Sequence, residues 1–318
     1  GRSLPLAIVI ATTFATWFGS ETVLGIPARF VSGNLGEVVE DPFGASMCLI
    51  LVGLFFAFRL YQKHLLTLGD YYRQRFGRLI EVLCSLMIIF SYLGWVAAQV
   101  TALGLVFHLL MPETLSIPMG MVIGTAIVLV YTLFGGMWSV ALTDFVQMIV
   151  ITIGLVVIAW FAADLAGGAG RVVEYAATNG KFQFFPEDGG AKEWTFFFAA
   201  AITMMLGSIP QQDVFQRVMS AKDAKTAQRG PVIGGTLYLL FAFIPMFIVT
   251  AAVMVMGEQG AALLADDPQK VLPTLVMDRM PVVLQIAFFG ALLSAIMSTA
   301  SATLLAPSTT FVENILRN

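Results

Sequence analysis

The sequence predicts an all-α protein that crosses a membrane many times. Two observations carry that prediction. Hydrophobic residues fill 58% of the 318 positions, only 12% are charged, and mean hydropathy is +0.86; a soluble domain carries about 25% charged residues. Apolar runs recur at about 4–28, 42–60, 79–111, 117–134, 138–163, 194–210, 231–256 and 281–306. Each is close to the roughly 20 residues that a helix needs to cross the hydrocarbon core. The chain reads as one transmembrane unit over 1–318.

The first run, ATTFATWFGSETVLGIP, reads as a helix that breaks halfway, around Trp17-Phe18-Gly19-Ser20-Glu21-Thr22 with Gly25 and Pro27 beyond. A charge at membrane depth costs about 3 kcal/mol or more and tends to persist for function. Non-helical backbone survives there only where protein or a water-filled cavity covers it. Freed carbonyls and half-helix ends can then face an ion or a solute. The competing reading is a Gly/Pro kink with Glu21 paired to a neighbouring helix.

The third run is long enough to tilt strongly or protrude. The fourth and fifth meet at the tight turn Phe134-Gly135-Gly136-Met137, and Asp144 lies about two turns into the fifth. Its carboxylate is placed either to hold an ion or to salt-bridge a basic loop residue. The sixth ends in Gly207-Ser208-Ile209-Pro210-Gln211-Gln212-Asp213, either a second interrupted helix or a helix end entering a loop. The eighth carries Ser294, Ser298, Thr299 and Ser301. Hydroxyl oxygens are hard ligands suited to sodium, although small residues also serve close helix packing.

Lys and Arg divide unevenly among the connections. Those at 29–41, 111–116, 164–193 and 257–280 hold six, and the alternate connections with Arg2 and Arg317 hold eleven. This bias predicts a cytoplasmic N-terminus, cytoplasmic loops at 60–78 and 211–230, and an inner-membrane location if the source is bacterial. No Lys or Arg is expected deep in any span, which ranks anionic solutes low. Net charge is −3 without a basic face, so nucleic acid is no partner. Cys48 and Cys84 in apolar spans, with His64 and His108, offer neither a disulfide framework nor a Cys/His metal site. No HExxH, GxSxG or P-loop occurs, and an enzyme is not expected.

Tyr131-Thr132-Leu133-Phe134-Gly135-Gly136-Met137-Trp138-Ser139, followed by Thr143-Asp144-Phe145-Val146-Gln147, resembles the signature of the sodium/solute symporter family. That family includes bacterial sugar, proline and sialic acid symporters. Supporting stretches are Thr67–Tyr72 with Arg75-Phe76-Gly77, Gln216–Lys222 and Met297-Ser298-Thr299. The resemblance implies a leucine-transporter-type inverted repeat with helices one and six broken. It also implies that flanking N-terminal and C-terminal helices are missing from this chain.

Carried onto this sequence, the resemblance implies a sodium (Na+) site from the carbonyls of Ala15, Phe18 and Ala295 and the hydroxyls of Ser298 and Thr299. Asp144 would support that ion or a second one. Glu21 falls where sugar-transporting members place a substrate-contacting residue, with Thr22 beside it; Trp17 and Ser208 complete the substrate-binding candidates. Gly207 and Ser208 align where sugar symporters have an aromatic inner gate, so a sugar is not implied. The expected function is sodium-coupled import of a small polar solute by alternating access: a polyol, an amino acid or an amine-bearing compound. The alternative is a symporter-like sensor module of a signalling protein.

Overall fold

The computed structural model describes residues 2–187 and 190–317, apart from the side chains at 131, 134 and 135. These omissions include Tyr131 and Phe134 of the signature motif. Among the described residues the structure is helical, and one isolated parallel bridge joins Leu4 to Ala221.

Helix α1 (Leu6–Trp17) stops at Phe18, whose φ/ψ of −79°/74° leaves helical geometry. The chain resumes in wide turns over Glu21–Gly25 and in α2 (Ile26–Ser32), bent 61° from α1. Gly19 makes this break possible. A side chain there would strike the Thr299 hydroxyl, so glycine lets the unwound backbone lie against the last helix. The expected break is therefore real, and its position follows from a close approach rather than from Pro27.

Helix α3 spans Leu35–Tyr61, starting earlier than the apolar run at 42. Asp41 leaves helical geometry inside it (φ −140°, ψ 119°) immediately before Pro42, because proline disfavours the α region for its predecessor. Helix α4 (Leu68–Phe76) starts at a capping box in which Thr67 and Asp70 satisfy each other's backbone N–H groups. It leads into α5 (Arg78–Leu110). Helices α6 (Ile117–Val130) and α7 (Gly136–Leu165) follow, then the short α8 (Ala169–Thr178). The turn expected at 134–137 centres on Gly136, at φ +55° and ψ −156°.

Helix α9 (Ala191–Gly207) and helix α10 (Gln212–Ser220) form the second bent pair, at 41°. The sequence reading put 211–230 in a cytoplasmic loop, and the structure corrects this. Residues 212–219 of α10 are all buried, and α11 (Ala224–Met256) begins only four residues after Ser220. Polar side chains that read as solvated instead partner one another in the core. Asp223 caps α11, accepting from the Thr226 N–H at 2.7 Å, which carries the helix well ahead of the expected start at 231. Helices α12 (Glu258–Asp266) and α13 (Val271–Arg279) lead to α14 (Val282–Leu316).

Among the described residues, five helices are long and apolar enough to cross a membrane, or up to seven if each bent pair is one span, with Ile117–Val130 as a shorter apolar helix. Helix α14 packs on α5 and the 117–165 helices, while α1 is enclosed by α7, α10, α11 and α14. The broken helix thus lies at the centre. Lys181 fixes its outer half: the ammonium donates to the Val31 and Gly33 carbonyls at 2.7 and 2.9 Å, satisfying orphan acceptors at the end of α2.

Gly136 combines positive φ with extended ψ, a region almost restricted to glycine. Gly136→Ala is expected to destabilise the protein by about 1–3 kcal/mol although open space surrounds the position. A thermal melt of the purified full-length protein checks this.

Candidate functional site

Helices α1 and α10, one half of each bent pair, meet in a buried charge network. Arg217 of α10, Asp144 of α7 and Asp213 of α10 are each 0% exposed. The Arg217 guanidinium donates to the Thr12 carbonyl and hydroxyl, both at 3.1 Å, and to the Asp213 carbonyl at 3.0 Å. It also lies 3.5 Å from Asp144 Oδ2. Asp213 accepts from Trp17 Nε1 at 3.0 Å and from the Tyr92 hydroxyl. Sequence reading left Arg217 in a loop; the structure buries it, because α10 packs into the core, and its spacing of four from Asp213 puts both on one face.

Asp144 links this network to the last helix. One oxygen accepts from Thr12, the other from Ser298 Oγ at 2.5 Å. Of the two readings open for Asp144, the structure shows the pairing with a basic residue, Arg217, and it also puts the carboxylate against the hydroxyl cluster. Ser298 also approaches the Ala15 carbonyl at 3.1 Å, and Thr299 Oγ1 approaches it at 3.4 Å. Ala15, Phe18, Ala295, Ser298 and Thr299 are all buried. The structure therefore brings the Ala15 carbonyl, two hydroxyls and a carboxylate together, and puts Phe18 and Ala295 on the same two elements.

This oxygen-only set suits a hard monovalent or divalent cation rather than a soft metal. Among the described residues, no three His, Cys, Asp or Glu gather to hold a metal. With both carboxylates ionised, the charges sum to −2 + 1 = −1 over Asp144, Asp213 and Arg217. One bound monovalent cation would neutralise the cluster, and an uncompensated buried charge is costly.

The substrate candidates are not brought together: Glu21 and Thr22 lie beyond the break, Trp17 faces the charge network and Ser208 lies at the second break. Glu21 is not buried: its side chain is 46% exposed and stands 4.0 Å from Arg29. It lines a cavity of about 260 Å³ with Ser20, Leu24, Thr101 and Gln269. The protein does not enclose this carboxylate, and Arg29 stands beside it. Thr22 is buried, donates to the Trp17 carbonyl at 3.0 Å and lies 3.0 Å from the Tyr238 hydroxyl. Tyr238 in turn donates to Asp41 Oδ1 at 2.6 Å. Trp17 turns its indole N–H to Asp213, and Ser208 is buried at the second break with its hydroxyl against the Met204 sulfur at 3.4 Å. Asp41 and Tyr238 went unnoticed in sequence: one sits in a loop-like acidic run, the other in an apolar helix.

Comparison with known proteins fits this geometry. The description "Sodium:solute symporter family" covers residues 1–318. The chain belongs to the sodium:solute symporter family. It is 31% identical to the high affinity choline transporter 1 of Homo sapiens over 99% of this chain and 55% of that protein. It is 24% identical to the sodium/glucose cotransporter of Vibrio parahaemolyticus over 100% of this chain and 62% of that protein. The chain thus spans little more than half the length of these relatives.

Among solved structures, a Na+-coupled sialic acid symporter in a substrate-bound outward-open state superposes with a TM-score of 0.87 at 21% identity. The match covers 99% of this chain and 68% of that one. A nucleobase-cation-symport-1 family transporter gives 0.72 at 18% identity, with coverage of 99% and 68%. The fold is the leucine-transporter type, as the motifs implied, and the relatives and neighbours are transporters rather than enzymes. The chain is a multi-pass membrane protein.

Removing one partner of a buried ion pair costs about 3–5 kcal/mol. Arg217→Met should therefore lower thermal stability markedly, and adding Asp144→Asn should restore part of it. A double-mutant thermal cycle on the full-length protein measures the coupling; additive losses would show that the pair does not interact.

Proposed function

We propose that the protein carrying this chain is a sodium-coupled symporter that imports a small polar organic solute by alternating access. The observation that carries this reading is the buried oxygen set of Ala15, Ser298, Thr299 and Asp144, joined through Asp144 to Arg217. Sodium is the coupling ion, held by the carbonyls of Ala15, Phe18 and Ala295, the two hydroxyls, and Asp144 as a nearby charge. Bound there, it ties the break of α1 to α14. A ligand shifts a conformational equilibrium only by its difference in affinity for the two states, so sodium favours the state in which these helices meet. The gradient and membrane potential supply the work, about 2.3 kcal/mol per charge per 100 mV.

The solute occupies the side of the break that carries Glu21, with Thr22, Trp17 and Ser208 shaping the remainder. Glu21 is an acceptor in the cavity it lines, with Arg29 4.0 Å from its carboxylate, and it suits a hydroxyl- or amine-bearing solute. The positive-inside bias orients the N-terminus and the basic 60–78 segment to the cytoplasm, in the inner membrane if the source is bacterial.

Ser298→Ala combined with Thr299→Ala is expected to abolish the thermal stabilisation that sodium gives the full-length protein over potassium. A double variant with the wild-type sodium response would sink the ion site. Glu21→Gln should leave that response in place while weakening sodium-dependent solute uptake about tenfold, the effect of one charge-assisted hydrogen bond.

A further inference from the structure

One buried polar side chain beside the break belongs to neither the charge network nor the candidate ion set. Gln99 of α5 is 1% exposed, yet its Nε2 has no hydrogen-bond partner. Its Oε1 accepts from the Ser20 hydroxyl at 3.1 Å. The same oxygen stands 3.2 Å from the place where a Gly19 side chain would begin, on the glycine whose other neighbour is the Thr299 hydroxyl. The amide and the Thr299 hydroxyl therefore both approach the unwound backbone at Gly19. Ser20 separates it from the Glu21 cavity, because Ser20 lines that cavity and donates to Gln99. Ala98, Thr101 and Ala102, flanking Gln99 on α5, line the cavity as well.

A buried amide half of which lacks a partner calls for a physical reason. The oxygen and nitrogen of a glutamine amide exchange places when the group flips. Whichever way it is set, one atom meets Ser20 and the other meets no protein group. A ligand that satisfies it in both settings must donate and accept, which a hydroxyl does. A carboxylate would answer only the free N–H, and a quaternary ammonium would answer neither. Glu21, across Ser20, offers an acceptor to a second hydroxyl or to a cationic nitrogen.

We propose that Gln99 is a solute-binding residue at the inner end of the Glu21 cavity, and that it selects for a hydroxyl-bearing solute. The solute displaces or reorients Ser20 and completes the amide's hydrogen bonding. Its remaining polar or cationic end faces Glu21. This deepens the symporter reading and rests on it.

The test uses purified full-length protein in saturating sodium, with thermal stabilisation titrated against four probes. Choline, myo-inositol and glucose carry hydroxyls; ethyltrimethylammonium matches the choline cation without one. At least one hydroxylated probe should bind, and Gln99→Met should weaken it about tenfold, the loss of one buried hydrogen bond. Ethyltrimethylammonium should respond equally to wild type and variant, and the sodium midpoint should stay within about twofold. Gln99→Glu keeps an acceptor for Ser20 and for a solute hydroxyl, so it should retain the hydroxylated probe better than Gln99→Met.

The proposal is overturned if no hydroxylated probe binds wild type, if Gln99→Met binds it unchanged, or if both variants lose it equally. Loss of the sodium response in both variants would make Gln99 structural and overturn it too. A wild type with no sodium response refutes the symporter reading instead, so the two failures are told apart.

Discussion

The arrangement depends on Arg217, a guanidinium with no water around it. Burying such a charge is expensive, and its pairings must offset that cost. They draw on three elements at once: the Thr12 carbonyl and hydroxyl on α1, the Asp144 carboxylate on α7, and the Asp213 carbonyl on its own helix α10. Asp144 then reaches α14 through Ser298. Displacing α10 would strand at least one charge, which makes this half of the second broken helix an integral part of the core. The same network joins two carboxyl groups to one guanidinium, the charge arrangement on which the sodium proposal rests.

The break in α1 divides the chemistry. Towards α7 and α14 it turns oxygen atoms with little water, which suits a stripped cation. Towards α5 it turns Glu21 to the cavity shared with Ser20 and Thr101, and towards α11 and α3 it turns Thr22 to Tyr238 and, through it, Asp41. Phe14 and Phe18 stack at 4.7 Å, and Tyr238 meets both edge-on, sealing the centre with apolar surface. Gly19 makes the division possible by letting the unwound backbone lie between Gln99 and Thr299. Under the proposed function, ion and solute would act on this one backbone segment, which is what coupling them requires.

Legibility in the sequence varied with how unusual each residue was in its surroundings. Gly19, Ser20 and Glu21 inside an apolar run announced a break, because glycine and charge are both unfavourable there. Arg217 was assigned to a loop because QQDVFQRVMS reads as solvated; only a fold that supplies inward partners makes that polarity a core feature. Gln99, the lone amide in the apolar stretch of α5, was a signal available and passed over. Glu21 was read as a charge at membrane depth, and it proved half exposed beside Arg29. The approach of Ser298 to Ala15 came from family resemblance, since 283 positions separate them and no local rule brings them together.

By itself the sequence determined that this is a helical membrane protein, where its apolar helices run, and that the first of them is interrupted. Those properties follow from local composition and from the steric demands of glycine and proline. Only the tertiary structure decided which polar groups share a site. Asp144, Arg217, Thr12 and Ser298 lie on four separate helices, and their pairing is fixed by packing distances and by the need to satisfy every buried charge.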